Sequence, residues 1–172
     1  DLSNNVTSYL MAVAGIETDS AELKYTGMYI HKGTKEARTL QGYDTSDSGD
    51  VREDFTEFFE RELINHQLNY NYLFQNNMEL DVRLAGGNAS RYAPYERVVF
   101  YEDTDDRGFF QYDVNTGRNQ TQFSYVNDSN ENFGIDFTFP LQFGEQEVTV
   151  KTGFDQTNNY RDAQVRSYRF LA

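Results

Sequence analysis

Hydrophobic and polar positions alternate most cleanly between Asn132 and Asp155. Phe133, Ile135, Phe137, Phe139 and Leu141 fall on one side, and Gly134, Asp136, Thr138 and Pro140 on the other. Beyond Gln142-Phe143-Gly144-Glu145-Gln146 the alternation resumes, with Val148, Val150 and Phe154 opposed to Glu147, Thr149, Lys151 and Asp155. Side chains switch faces at every residue of a strand, so a period of two predicts a hairpin with one apolar and one polar face. The apolar face is rich in Phe, and the polar face carries charges in mid-strand. That division suits a barrel wall with lipid outside and water inside at least as well as it suits a soluble sandwich.

The same period recurs along the chain and predicts about six strands. The first covers about 6–16 (VTSYLMAVAGI), almost continuously apolar, and ends at the polar turn Glu17-Thr18-Asp19-Ser20. The second covers about 21–35, with Leu23, Tyr25, Gly27 and Tyr29 set against Glu22, Lys24, Thr26 and Met28. The third covers about 56–75. In its second half Leu68, Tyr70, Tyr72 and Phe74 oppose Gln67, Asn69 and Asn71. In its first half Phe55, Phe58, Phe59 and Leu63 fit a helical face as well, and the period-two run that follows favours strand. A fourth strand at about 78–88, a fifth at about 119–141 and a sixth from about 146 to 160 or beyond complete the set.

The segments between these strands predict alternating connection lengths. Short turns close 17–20, 75–77 and 142–146, whereas 36–52 (containing GYDTSDSGD) and 91–118 read as long loops. Structureless loops above about 12–15 residues are uncommon in compact domains. Tight turns at one end and long loops at the other are the norm in outer-membrane barrels.

Composition narrows the class. Of the 172 residues 38% are hydrophobic and 16% aromatic, with 14 Phe and 13 Tyr, and mean hydropathy is -0.77. No run reaches the roughly 18 apolar residues of a spanning helix, while spanning strands escape that test because half of each faces water. The net charge of -13 argues against a nucleic-acid partner, which requires clustered Lys and Arg. With zero cysteines, disulfides and thiolate metal sites are excluded. The opening Asp1-Leu2-Ser3 reads as a cut made inside a longer protein or as a mature N-terminus, and the cut is favoured.

Several phrases carry a family resemblance. ERELINHQLNYNYLF, the turn QNN and the returning MELDVRLAGGNASRYAPYERVVFYE form one; FSYVNDSNENFGIDFTFPLQFGEQEVTVKTGFD leading into YRDAQVRSYRF forms another. Over residues of about 5–170 the chain resembles the barrel of a bacterial TonB-dependent outer-membrane receptor. The resemblance implies an all-β, antiparallel up-and-down sheet forming part of a transmembrane β-barrel wall, with residues 1–172 an internal piece of the barrel domain. The family barrel has 22 strands, an N-terminal plug domain and a TonB-contacting segment, none of which is legible in these 172 residues. The implied setting is the bacterial outer membrane, and the implied partners are lipid, a plug domain, TonB and a small-molecule ligand. The implied role is energised uptake of a scarce ligand such as a siderophore, cobalamin or an oligosaccharide, with no catalysis and no cofactor.

Two groups of residues stand out as candidate sites. Arg91, Tyr92, Tyr95, Arg97 and Tyr101 concentrate aromatics and charge in the long segment 91–118, together with Phe109, Phe110 and Tyr112. Tyr and Arg are favoured at recognition surfaces, and loops carry function on rigid scaffolds; packing among loops is the plainer reading. Asp81, Arg83, Asp136, Lys151 and Asp155 fall on the polar face, where they would line the lumen, facing a plug or a transport path, or simply solvate the interior. His31 and His66 lack a partnering metal-ligand spacing. Glu102-Asp103-Thr104-Asp105-Asp106 lacks the spacing of a calcium loop and reads as a solvated tip. Gly86, Gly87 and Gly153 read as bends or close packing. The rival reading is a soluble extracellular β-sandwich binding module, or a porin-like barrel without a plug. A sandwich would bury the Phe137/Phe139/Val148/Val150 face under a second layer, whereas a barrel would leave it bare over about 25 Å.

Overall fold

The computed structural model describes residues 1–45, 49–103, 108–112 and 119–170. Its strands are β1 (Leu2–Glu17), β2 (Ala21–Asp44), β3 (Gly49–Leu73), β4 (Glu79–Asp103), β5 (Gln111–Tyr112), β6 (Gln120–Phe143) and β7 (Gln146–Arg169). They form one antiparallel sheet in the order β1-β2-β3-β4-β6-β7, with β5 paired to the end of β4. The all-β, up-and-down architecture expected from the alternation is therefore present, and the ambiguous first half of the third strand is β-strand. The sheet is not closed: β1 and β7 are its two edges, each with one unpaired side.

No helix and no second layer cover the sheet among the described residues, and no helix is long and apolar enough to cross a membrane. Consequently there is almost no core. Ala93 and Val99 are the only buried hydrophobic residues described, and no large side chain is fully buried. The accessible surface is 12261 Å², against about 8,700 Å² for a compact monomer of 20 kDa. The backbone ladder holds this sheet together, and its side chains face outward on both sides.

The loop-length pattern is corrected by the structure. Strand β2 runs on to Asp44 and β3 begins at Gly49, so most of 36–52 is ladder. Strand β4 continues to Asp103, which turns most of the first half of 91–118 into strand. The connections at 18–20, 45–48, 74–78 and 144–145 are all short, leaving 104–119, which contains β5, as the longest stretch between long strands. These stretches read as loops because their polar and apolar residues follow no period of two, with Val98, Val99 and Phe100 consecutive in β4 and charges on both faces of β2. A strand standing in water on both sides needs no apolar residue, since its backbone groups are satisfied by the neighbouring strands.

Turn chemistry accounts for the tight end. In the first turn Thr18 donates its backbone N–H to the Ala21 carbonyl, and its hydroxyl accepts from Ala21 N–H at 3.0 Å. Asn77 and Gly144 take positive φ angles of 60° and 64° in the other two turns, a conformation that Gly and Asn adopt at little cost. At the far end Pro94 interrupts β4. Both neighbouring ladders change register there, between Phe58 and Glu60 on one side and between Ala93 and Glu96 on the other. Proline has no N–H to give to a ladder, and one extra residue in β4 forms a bulge around it.

Candidate functional site

The register divides the sheet into two faces and, along the strands, into two halves. Near the short turns one face is apolar across all six long strands. Ile16, Leu23, Tyr70, Val82, Ile135 and Phe154 form one unbroken cross-strand row. The row above is Ala14, Tyr25, Leu68, Leu84 and Phe133, ending at Gln156, and the row below is Ala21, Tyr72, Leu80 and Phe137, ending at Thr152. Phe139 with Val150 and Leu141 with Val148 extend the face to the turn. Phe133 to Leu141 covers roughly 26 Å along β6, and a spanning strand is roughly 9–11 residues long. Nothing described covers these side chains: Phe154 is 56% exposed and Ile16 69%.

Aromatic rings mark both borders of this band. At the lower border Tyr72 and Phe74 meet edge to face at 4.7 Å. At the upper border the Tyr25 hydroxyl lies 2.6 Å from His66 Nδ1, with the two rings stacked. Above His66 the same face continues through Gly86, Glu131 and Asn158, where it becomes polar.

Behind the apolar band lies the polar face, where the five residues predicted for it come together. Arg83 donates to Asp136 Oδ2 at 2.7 Å and lies 3.9 Å from Asp155, and Lys151 lies 3.8 Å from Asp136. Asp81 accepts a hydrogen bond from Asn71 at 2.8 Å, and Asp155 accepts one from Asn132 at 3.0 Å. Two glycines make the cluster possible. A Cβ on Gly134 would lie 2.9 Å from both the Arg83 guanidinium and the Asp155 carboxylate, and one on Gly153 would overlap the Asp136 carboxylate. The charges are legible in the sequence, but the need for Gly134 between Arg83 and Asp155 is not; their cross-strand order is visible only once the register is known.

The other predicted group is on a strand and not in a loop. Arg91 lies on the polar face, opposite Arg61, and donates to Ser124 Oγ at 2.7 Å. Its guanidinium and that of Arg61 stack on Phe59 at 5.0 and 4.8 Å. Tyr92 opposes Glu60 and so faces the other way. The bulge at Pro94 adds one residue, which keeps Tyr95, Arg97 and Tyr101 on the same side as Tyr92. Arg97 stacks on Phe170 at 5.1 Å, and Tyr101 meets Arg52 at 5.6 Å and the Tyr112 ring at 6.3 Å. The five residues therefore divide between two faces, because a strand cannot present neighbours to one ligand as a folded loop can.

Electrostatics in the upper half is local. Asp128 takes a two-pronged bond from Arg161 at 2.5 and 2.8 Å, which holds its carboxyl below the usual range. Burial pushes the Asp54 carboxyl up, but hydrogen bonds from Arg52 and Thr39 outweigh it and leave the carboxyl lowered. Glu36, Glu57 and Glu96 stand directly opposite one another on three adjacent strands. Burial first, then repulsion from Glu96 and Glu36, raises the Glu57 carboxyl. His31 lies 3.8 Å from Glu60. Among the described residues no group of three or more His, Asp or Glu is arranged to hold a metal ion. Of the acidic run 102–106, Glu102 and Asp103 end β4 and the rest lies outside the described residues.

No protein-family model matches the sequence, and no curated protein does. Among solved structures, the membrane pore complex of pneumolysin matches over 96% of this chain and 30% of that one, at 8% identity and a TM-score of 0.23. The chain thus spans less than a third of that protein's length. The Clostridium perfringens delta-toxin matches over 86% of this chain and 95% of its own, at 6% identity and a TM-score of 0.20. Similarities this low carry no argument about the function of this chain.

Proposed function

We propose that the chain is part of the barrel wall of a TonB-dependent outer-membrane receptor, which takes up a scarce ligand with energy from the inner membrane and performs no catalysis. The observation that carries the wall reading is the six-strand apolar row from Ile16 to Phe154, backed on the other face by the Arg83–Asp136–Asp155–Lys151 cluster. A sheet with an uncovered apolar band and charges directly behind it suits a boundary between lipid and water. The soluble sandwich reading needs a second layer over that band, and none exists among the described residues. The edges of β1 and β7 call for further strands in the wall, because open ladder edges are not tolerated in lipid.

The receptor class rests on the resemblance of the hairpin phrases and is supported by strand length. Strands of 24–25 residues exceed the roughly 9–11 needed to span a bilayer. In their upper halves apolar and polar residues are mixed on both faces and neither face carries a continuous apolar row, which a wall extending into water would not need. In this reading the partners are outer-membrane lipid, a plug domain, TonB and a small ligand, with nucleic acid disfavoured by the charge of -13.

These 172 residues hold no cysteine, so single ones can be placed in them. The test is made on the intact gene product in its own membranes, with any cysteine elsewhere in it replaced by serine. Phe137→Cys and Val150→Cys should resist a charged maleimide until the membrane is dissolved. Thr138→Cys and Thr149→Cys, on the other face, should react. Equal labelling of all four, or recovery of the protein in the soluble fraction, would sink the proposal.

A further inference from the structure

We propose that the polar face, just above the ion-pair cluster, binds a neutral, hydroxyl-rich ligand such as an oligosaccharide chain. This assignment rests on the barrel-wall reading and names the class of ligand for that wall. Two cross-strand rows form the site: Gln67, Ala85, Asn132 and Thr157, then Asn65, Gly87, Asn130 and Asn159. Asn132 and Thr157 are committed to one another, the Asn132 amide donating to Thr157, Asp155 and the Gln156 carbonyl. The amides of Asn65, Gln67, Asn130 and Asn159 have no hydrogen-bond partner among the described residues and are available to a ligand.

The shape of the site follows from its small residues. Ala85, Gly87 and Ala89 form the floor along β4, between amides carried by β3 on one side and β6 on the other. A Cβ on Gly87 would lie 2.6 Å from Asn130 Oδ1 and 3.1 Å from Asn65 Nδ2, so both amides lean over the glycine. A groove of about 500 Å³ opens at the second of these rows, bordered by Asn65, Asn130, Asn159, Leu63 and the Asp128–Arg161 pair, within the range of ligand sites.

The charge pattern selects the ligand. Below the amide rows Arg83 is bridged to Asp136 and Asp155, and above them Asp128 is doubly bonded to Arg161. Both charged borders are internally paired, which leaves the groove between them without a free charge. A carboxamide offers two donors and an acceptor, and an alcohol offers one donor and accepts. Neighbouring amides therefore match neighbouring hydroxyls, whereas an anionic chelate would require a free Lys or Arg in place of these amides.

The test uses the intact protein purified in detergent and titrated calorimetrically with maltohexaose, xylohexaose and chitohexaose as neutral probes. Hexagalacturonate and ferric citrate serve as charged ones. At least one neutral hexasaccharide should bind saturably, with little change between about 0.05 and about 0.5 M salt because no free charge takes part. Asn65→Leu with Asn130→Leu should weaken it by about tenfold or more through lost polar contacts. Gly87→Ala, which crowds only side-chain ends and the edge of one carbonyl, should weaken it several-fold by displacing the Asn130 amide. Thr152→Ala, on the apolar face, should leave it unchanged. Binding of the charged probes alone, no binding of any neutral probe, or an undiminished double variant would overturn the assignment. If the cysteine labelling pattern holds while neutral probes fail, the ligand class falls and the wall reading stands; if the labelling pattern fails, both fall.

Discussion

The lower and upper halves of the same six strands obey different rules. Near the turns every strand but β1 keeps its two faces chemically distinct, as in the row from Ile16 to Phe154 against the row containing Arg83, Gly134 and Asp155. Farther up, Asn88 and Ser129 stand on the formerly apolar face and Asp128 and Arg161 on the other, so both sides suit water. Backbone pairing continues through both halves, shifted by one residue at the Pro94 bulge. The difference shows that the ladder alone sustains a long strand, while the segregation of faces records what each side touches. A one-residue slip would carry every apolar side chain of the lower half to the polar side. In the upper half, where both faces mix polar and apolar residues, the same slip would move no such row.

The largest test of that contrast places a charge at equivalent positions on one face. On the proposed barrel-wall reading, Ile135→Arg, in the centre of the apolar row, should cost about 2–4 kcal/mol of folding into bilayers, and Ser129→Arg about 0–1 kcal/mol. Urea titration of the intact protein in phosphatidylcholine vesicles reads both values, and equal effects would abolish the distinction between the halves.

A smaller effect is expected for glycines. Gly153→Ala sets a methyl against the Asp136 carboxylate and 2.7 Å from the Ile135 carbonyl, and overpacking of this kind costs about 1–3 kcal/mol. Gly33, in the upper half, has nothing within 4 Å of where a methyl group would stand, so Gly33→Ala should be neutral or stabilise by up to about 1 kcal/mol. The same titration separates them.

The smallest expected effect is electrostatic and belongs to the upper half. The raised Glu57 carboxyl means that its charged form is disfavoured in the fold. That penalty is complete above the raised folded value and vanishes as pH falls below the ordinary 4.5. Glu57→Gln should therefore stabilise at pH 7 by roughly 0.2–1 kcal/mol, the scale of a cross-strand pair, and should make no difference near pH 4. A stabilisation that persists in acid would exclude repulsion from Glu36 and Glu96 as its cause.

The lower half is legible in the sequence because its alternation is strict. Phe133 to Leu141 and Val148 to Phe154 pair as the pattern requires, and the polar set Asp81, Arg83, Asp136, Lys151 and Asp155 does share one face. The upper half reads wrongly as loop over most of 36–52 and over 91–103, since polar and apolar residues mixed on both faces carry no period. For the same reason Arg91 looks in sequence like a partner of Tyr92, although the two point in opposite directions.

By itself, then, the sequence determined the class of fold, the strand order along the chain and the two faces of the lower half. Each of these follows from local alternation and from turn residues such as Thr18, Asn77 and Gly144. Only the tertiary structure decided how far the strands extend, where Pro94 shifts the register, and which residues meet across strands. Arg83 reaches Asp155 over Gly134, and Asn65 and Asn130 lean over Gly87. Those meetings depend on hydrogen-bonded register between segments up to 72 residues apart in sequence, which no local pattern encodes.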